Sequence, residues 1–208
     1  ADVNTAETYE KITLIFDNVA GKAGDGSATY TYYFDELRLV QTSALSSPSG
    51  LASAPSKAQS DVISLFSDTY TDVTVNTWNA DWSQAVLDEV SIAGEAVKKY
   101  SSLNYAGIEM TGANSLDLSQ MTHLHIDIWT PDASEFKVKL VDFGNDNDWH
   151  TGFTEHEITK QDFSTGSWKS YDFLLTDFTS LSSKANVSQI LLSGGGATIY
   201  VDNIYFYK

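Results

Sequence analysis

The chain contains no cysteine among its 208 residues, which excludes a disulfide framework and a thiolate metal site. Basic residues are also scarce, since 12 Lys and Arg stand against 28 Asp and Glu and give a formal net charge of -16. Such a surface repels nucleic acid and anionic membranes, because phosphate binding requires clustered Lys and Arg. Sulfated or carboxylated polymers are disfavoured for the same reason unless a local basic patch overrides the average. No run is long and apolar enough to predict a membrane-spanning helix.

Signatures of common enzyme classes are missing too. The sequence has no His-Glu-x-x-His, no Gly-x-Ser-x-Gly and no phosphate-cradling glycine loop. His123 and His125 lie two apart, but nothing in the pattern fixes a third metal ligand. Glu155 and Glu157 share one face of a predicted strand, so a carboxylate pair for glycoside hydrolysis stays open. A small jelly-roll lyase or hydrolase is therefore a less favoured alternative, and the chain is predicted not to be an enzyme.

A strand-closing phrase occurs twice, at residues 32–39 and 199–206, each time after an apolar strand and a Gly-rich turn. Only the second copy has a whole domain before it. The repeat predicts that residues 1–41 are the C-terminal hairpin remnant of a preceding sister module. Residues 42–60 are predicted to be a Ser/Ala/Pro linker, and residues 61–208 a complete β-sandwich. Because an isolated hairpin is marginal in water, we expect the remnant to pack on the complete module or to form a dimer with another copy.

Alternating hydrophobicity predicts strand after strand from Asp61 onward. In the clearest case Leu124, Ile126 and Ile128 point to one side of a strand and polar residues to the other. Turn-forming Gly, Asn, Asp, Ser and Pro separate the segments. The fold class is therefore all-β, a two-sheet β-sandwich preceded by a partial β-hairpin. The predicted strands are Val62–Phe66, Val90–Tyr100, Leu103–Met110, His123–Trp129, Phe136–Val141, Thr154–Thr159, Trp168–Leu174 and two closing strands that end at Lys208.

Polar side chains on two of these strands suggest a binding face. A short turn joins strand 123–129 to strand 136–141, so the two are predicted to be antiparallel neighbours. Trp129 is an expensive residue to leave on a merely wet face. An indole that stacks on a pyranose, with charged groups bonding its hydroxyls, is a usual design of a sugar site. A simply solvated outer face stays an open alternative. The face would carry His125, Asp127, Trp129, Lys137 and Lys139.

Two loops add aromatic candidates. Trp78 and Trp82 lie in one loop, where they either match the spacing of two sugar rings or place one ring as a plug in the sandwich. Trp149 and His150 end an acidic loop that misses the spacing of a helix-loop-helix calcium site. The predicted ligand-binding residues are Trp78, Trp82, Trp129, Trp149, His125, Asp127, Lys139 and His150.

A structural calcium ion is predicted near the closing strand. Asp202 and Asp35 occupy the same position of the repeated phrase, between apolar neighbours where an unpaired charge would be unfavourable. Asp68 follows the first strand, and the first and last strands of a sandwich often adjoin. The Asp202 carboxylate is therefore either on the exposed face of the strand or bound to a cation. In the second case Asp68 and Asp202 are the predicted metal ligands, for Ca²⁺.

Six segments in order resemble a family of modules appended to polysaccharide-degrading enzymes and surface proteins of Bacteroidota, especially marine ones. They are residues 62–73, 76–84, 123–131, 137–144, 155–157 and 200–206. The resemblance implies a galactose-binding-like jelly roll with a non-catalytic carbohydrate-binding role, often with Ca²⁺.

On this resemblance we expect a secreted or cell-surface module of a larger protein. It would direct the catalytic domain of the same chain to a polysaccharide, β-glucan-like or another algal or plant glycan. The alternative is a structural or protein-interaction spacer of a surface protein, in which the aromatic residues belong to the core.

Overall fold

The computed structural model describes residues 45–145 and 148–208. The predictions for residues 1–41, including the hairpin remnant and its dimer, lie outside these ranges. The described residues all belong to one compact unit. No helix in the described ranges is long and apolar enough to cross a membrane. The strands there are β1 Val62–Phe66, β2 Gln84–Ile92, β3 Glu95–Glu109, β4 His123–Trp129, β5 Phe136–Asp142, β6 Thr154–Lys160, β7 Lys169–Leu174, β8 Val187–Ser193 and β9 Ala197–Tyr207.

The strands form two antiparallel layers that share one long strand. Sheet A has the order β2-β3-β9-β4-β7, with β1 added beside the C-terminal half of β9. Sheet B has the order β6-β5-β8-β3. The first part of β3 pairs with β9 in sheet A, and its last four residues, from Ala106 to Glu109, pair with β8 in sheet B. The register shifts between Tyr100 and Leu103, beside Ser102 at φ 51°. The predicted all-β sandwich is confirmed.

The core lies between the two sheets. Leu124, Ile126 and Ile128 of β4 are buried there, as their alternation predicts. Val138 and Leu140 of β5 meet the same cluster from sheet B. Each fully buried aliphatic side chain of this kind contributes about 1.5–3 kcal/mol, so the alternating pattern is enough to fix which face of each strand turns inward.

The predicted pairing of β4 with β5 is wrong. Strand β4 lies between β9 and β7 in sheet A, whereas β5 lies between β6 and β8 in sheet B. Residues 130–135 cross from one sheet to the other, a distance of about 10 Å that a segment of this length easily spans. The Thr130 hydroxyl holds the crossing: it donates to Thr198 O at 2.7 Å and accepts from Ala133 N–H at 2.9 Å.

The predicted strand Val90–Tyr100 is also wrong, because it contains a hairpin turn. Strands β2 and β3 meet at Ala93 and Gly94, which have φ of 50° and 100°. Two central residues with positive φ suit a tight hairpin, but alanine is not a residue that signals one. The predicted strand therefore joins the end of β2 to the start of β3, and the first residues of β2, from Gln84, were not predicted as a strand.

Residues 45–58, here called the strap, lie on the outer face of sheet A. Pro48 is buried, and Leu51 packs against the cluster of Val97, Trp129 and Tyr200. The described part of the predicted linker is therefore bound to the sandwich, while its role as a joint between modules stays a prediction. Four side chains of the sandwich donate to strap carbonyls: Tyr200 Oη to Ser46 O at 3.2 Å, Trp168 Nε1 to Gly50 O at 2.7 Å, Asn203 Nδ2 to Ser53 O at 3.5 Å and Tyr70 Oη to Lys57 O at 3.1 Å.

A bulge in β9 centres on Asn203. Its backbone has φ 47°, a left-handed conformation that asparagine tolerates better than most residues. Its side-chain N–H donates to Asp127 Oδ2 at 2.9 Å, and its side-chain oxygen accepts from the Ser67 hydroxyl at 2.9 Å. One side chain thus connects β9 to β4 and to the segment after β1.

We expect Asn203→Ala to lower the free energy of unfolding by about 2–4 kcal/mol. The change leaves the buried Asp127 carboxylate without its amide donor and places alanine in a left-handed conformation. Chemical denaturation measures the loss. Asn104→Ala, at an exposed strand position, is the matched control and should change stability by less than about 0.5 kcal/mol. Equal effects of the two substitutions would contradict the role given to Asn203.

Candidate functional site

An open groove runs across the outer face of sheet B. Its volume is about 700 Å³, within the range of small-molecule sites. Two exposed tryptophans line it, and polar residues lie between them. The lining residues are Trp82, Glu109, Thr111, Val141, Phe143, Asp148, Trp149, Phe153, Glu155 and Gln189.

Trp82 is placed by the segment that runs along the free edge of β3. In this segment Ala80 N–H donates to Gly107 O at 2.9 Å, and the Ser83 hydroxyl accepts from Gly107 N–H at 3.0 Å. The indole then folds over the sheet face, stacked with Tyr105 at a ring separation of 6.3 Å. It stays 43% exposed, so one region of the ring is backed by protein and another is open to a ligand.

Glu109 fixes the orientation of that indole. Its Oε1 accepts from Trp82 Nε1 at 3.2 Å and from Gln189 Nε2 at 2.9 Å. Glu109 and Gln189 are register partners on neighbouring strands, so the carboxylate is held from both sides. Oε2 has no hydrogen-bond partner in the described part of the chain, which leaves an acceptor for a ligand that lies in the groove.

Trp149 is the second exposed indole of the groove. It is 60% exposed and lies against His150, with ring centroids 3.8 Å apart. Asp148 Oδ1 accepts from His150 N–H at 2.9 Å and lies 2.7 Å from its Nδ1. These backbone and side-chain bonds from His150 lower the pKa of Asp148. Phe153, 44% exposed, continues the apolar surface.

The groove is acidic. Lys139 faces the same side of sheet B, but its ammonium forms an ion pair with Glu155 Oε1 at 2.9 Å. The pair as a whole adds no positive charge to the groove. Glu109 and Asp148 add two more carboxylates to the lining. An anionic ligand would therefore meet net negative charge here, whereas the hydroxyls of a neutral ligand would find acceptors.

Trp78 does not join Trp82 in the groove. Its ring packs edge-on against Phe66 at 5.8 Å, and the Lys98 ammonium lies 4.8 Å above it. Its carbonyl accepts from the buried Tyr100 hydroxyl at 2.7 Å. The loop therefore does not present two rings to a ligand. Trp78 packs against the core, as the alternative of a plug predicts, and Trp82 is exposed.

Trp129 and Asp127 are not on an open face. Trp129 is only 2% exposed, packed edge-on against Tyr200 at 5.4 Å, and Asp127 is fully buried. The expectation that this polar face is exposed to a ligand is wrong. The strap covers Trp129, and the bulge at Asn203 turns an amide onto Asp127.

His125 lies between two carboxylates on sheet A. Its Nδ1 is 2.8 Å from Asp172 Oδ1, and its Nε2 is 3.3 Å from Asp127 Oδ1. Burial opposes its protonation, but the hydrogen bonds and charges of Asp127 and Asp172 outweigh burial, so its pKa is raised. The Tyr205 ring stacks on it at 4.6 Å. These groups form an ion network on sheet A, away from the groove.

Asp68 and Asp202 do come together. Strands β1 and β9 pair as predicted, and both carboxylates line a cavity of about 200 Å³ with Glu95. Burial first, then the charges of Asp127, Asp68 and Glu95, raise the pKa of Asp202 to about 6. Oxygen donors suit Ca²⁺, but within residues 45–145 and 148–208 no group of three or more His, Cys, Asp or Glu is arranged to hold a metal. Calcium stays a prediction.

Gly107, Glu109 and Gln189 are not among the residues that the sequence predicts for the site. A signal was present for the first two, since Ala106 and Ile108 alternate with them and point into the core. A glycine inside such a strand indicates close approach of another group. Nothing local to the sequence, however, places Gln189 beside Glu109.

Comparisons with known proteins show the fold and no family. A scan of protein-family models and a search of curated proteins find no match. Among solved structures, a family 30 carbohydrate-binding module is similar, with 16% identity and a TM-score of 0.53 over 70% of this chain and 87% of that one. The family 30 module of a cellulosomal cellulase of Clostridium thermocellum has 13% identity and a TM-score of 0.51, over 71% and 97%. The predicted link to Bacteroidota is not shown by these comparisons.

Without divalent cations, Asp202→Asn should raise the melting temperature at pH 7.5. The pKa of Asp202 is higher in the folded state, about 6, than its ordinary value of 3.8. Its contribution to stability is therefore full below about pH 3.8 and is lost as the pH rises through about 6. Calorimetry in a chelator measures the gain, which should shrink at pH 4. Asp88→Asn, on the exposed face of β2, should have little effect. A lower melting temperature for Asp202→Asn in chelator would refute the argument.

Proposed function

We propose that this protein is a non-catalytic carbohydrate-binding module that holds a neutral polysaccharide in the groove on sheet B. The observation that carries the proposal is the pair of exposed indoles, Trp82 and Trp149, in one groove with a buttressed carboxylate between strands. Pyranose rings have apolar faces that stack on aromatic rings and hydroxyls that donate to carboxylates.

The fold supports the same conclusion independently. The two solved structures described above are carbohydrate-binding modules, although identities of 13–16% bear on the fold alone. The acidic lining favours a neutral chain, of which a β-glucan-like polymer is one example, over a uronate or sulfated one. We further propose that the module belongs to a secreted or cell-surface protein and directs its catalytic domain to the glycan.

Of the predicted ligand-binding residues, we retain Trp82, Trp149, Lys139 and His150. Trp82 and Trp149 would stack on sugar rings, while Lys139 and Glu155 offer a donor and an acceptor beside them. Glu109 joins the set. Net affinity is expected to be modest, because each sugar hydroxyl exchanges a water hydrogen bond for a protein one.

Affinity electrophoresis against a panel of neutral and anionic polysaccharides tests the proposal. We expect retardation by at least one neutral glycan and none by polyuronates. Trp82→Ala and Trp149→Ala should each weaken retention by about tenfold or more, which corresponds to a loss of about 1.4 kcal/mol or more for each aromatic contact. Trp168→Phe is the control, because that ring lies under the strap on sheet A and should not affect retention.

Two outcomes would favour the alternatives. Retention by no glycan would favour a structural or protein-interaction spacer. Release of reducing ends from the retained glycan, abolished by Glu155→Gln or Glu157→Gln, would make the protein an enzyme. Either result would overturn the proposal.

We also propose that Ca²⁺ binds in the cavity of Asp68 and Asp202, where backbone carbonyl oxygens would have to complete the ligand set. Millimolar Ca²⁺ should then raise the melting temperature of the wild type by several degrees, and Asp202→Asn should abolish this effect. Mg²⁺ at equal concentration controls for ionic strength. An unchanged melting temperature in Ca²⁺ would remove the calcium proposal and leave the glycan proposal intact.

A further inference from the structure

We infer that Gly107 sets the position of the Trp82 indole and so the shape of the groove at that ring, because the absence of a side chain there admits the indole onto the sheet. The inference rests on the proposed function and deepens it. It concerns which residue sets the shape of the sugar subsite that Trp82 provides.

The geometry at this point leaves room for one of the two side chains only. A Cβ atom built on Gly107 would lie 2.2 Å from Trp82 Cη2 and 2.3 Å from Cζ2. Real Cβ atoms do not approach other heavy atoms so closely, so the six-membered ring occupies the space of the missing side chain. The φ of Gly107 is not in the left-handed region, so the backbone itself would accept alanine. The three heavy atoms nearest to that Cβ all belong to the Trp82 indole, so it is this ring that opposes a side chain.

Three further contacts make this ring position definite. Ala80 and Ser83, on either side of Trp82 in the chain, are hydrogen-bonded to the two backbone groups of Gly107, and Trp82 Nε1 donates to Glu109. Because Glu109 is also held by Gln189, the indole cannot rotate without breaking a charge-assisted hydrogen bond. The ring is therefore preorganised, and binding has less side-chain entropy to overcome.

The consequence for the ligand is steric. With glycine at position 107 the indole lies low on the sheet, and the groove above it keeps its depth for a pyranose ring. Any side chain at position 107 must lift the indole, which narrows the groove and pulls Nε1 from Glu109. Neighbouring strand positions have no such influence, because Ala106 and Ile108 point into the core.

The first test needs no ligand. Five tryptophans give five indole N–H signals in the NMR spectrum, and Trp82→Phe identifies the one that belongs to Trp82. In Gly107→Ala we expect that signal to shift and to exchange faster with solvent, while the other four keep their positions. Gly50→Ala is the matched control, since nothing lies within 4 Å of the added Cβ. An unmoved Trp82 signal in Gly107→Ala would overturn the inference.

The second test uses a neutral glycan that retains the wild type. Gly107→Ala should weaken retention by about tenfold, as Trp82→Ala does, and the double variant should be no weaker than Trp82→Ala alone. If Gly107→Ala weakens binding by the same factor in the Trp82→Ala background, Gly107 acts by another route and the inference fails. If no glycan retains the wild type, the proposed function fails, and the indole signal alone decides whether Gly107 sets the ring position.

Discussion

The passage of β3 from sheet A into sheet B is the constraint on which the groove depends. One continuous strand pairs with β9 over its first part and with β8 over its last four residues. Because side chains alternate along it, Ala106 and Ile108 must enter the core while Gly107 and Glu109 must face out. The free edge beside those residues then receives the segment that carries Trp82. The position of the indole therefore follows from where one strand changes partners.

The outer faces of the two sheets differ in their access to solvent. On sheet B the hydrogen-bonded carboxylate of Glu109 and the exposed indoles of Trp82 and Trp149 line an open acidic groove. On sheet A the strap and the bulge at Asn203 close the surface, so that Trp129 and Asp127 are buried despite standing on the polar side of β4. The carboxylates trapped there are compensated by His125 and Asn203, whereas Asp202 keeps a raised pKa. The outer face of sheet A is thus closed by packing, and the outer face of sheet B stays accessible to a ligand.

Local patterns predicted the elements well and their partners poorly. Strand β4 and the core side of its residues followed directly from alternation, and the pairing of β1 with β9 was expected. The partner of β5 was predicted wrongly. A short connection that contains proline has the sequence pattern of a hairpin, whether it turns within one sheet or crosses between two sheets. Of the candidate tryptophans, Trp82 and Trp149 line the groove, but alternation alone could not reveal that another segment covers Trp129. Glu109 and Gln189 become neighbours only through long-range pairing, which no local pattern encodes.

The strap has a consequence for how its sequence can vary. The donors that hold it belong to the sandwich, namely Tyr70, Trp168, Tyr200 and Asn203, and the acceptors are main-chain carbonyls. Every residue type supplies a carbonyl, so most strap positions are free to change while the four donors are not. Selection would therefore act on side chains remote in sequence from the segment they secure. A segment held in this way can have the small, polar composition of a spacer while it remains part of the folded unit.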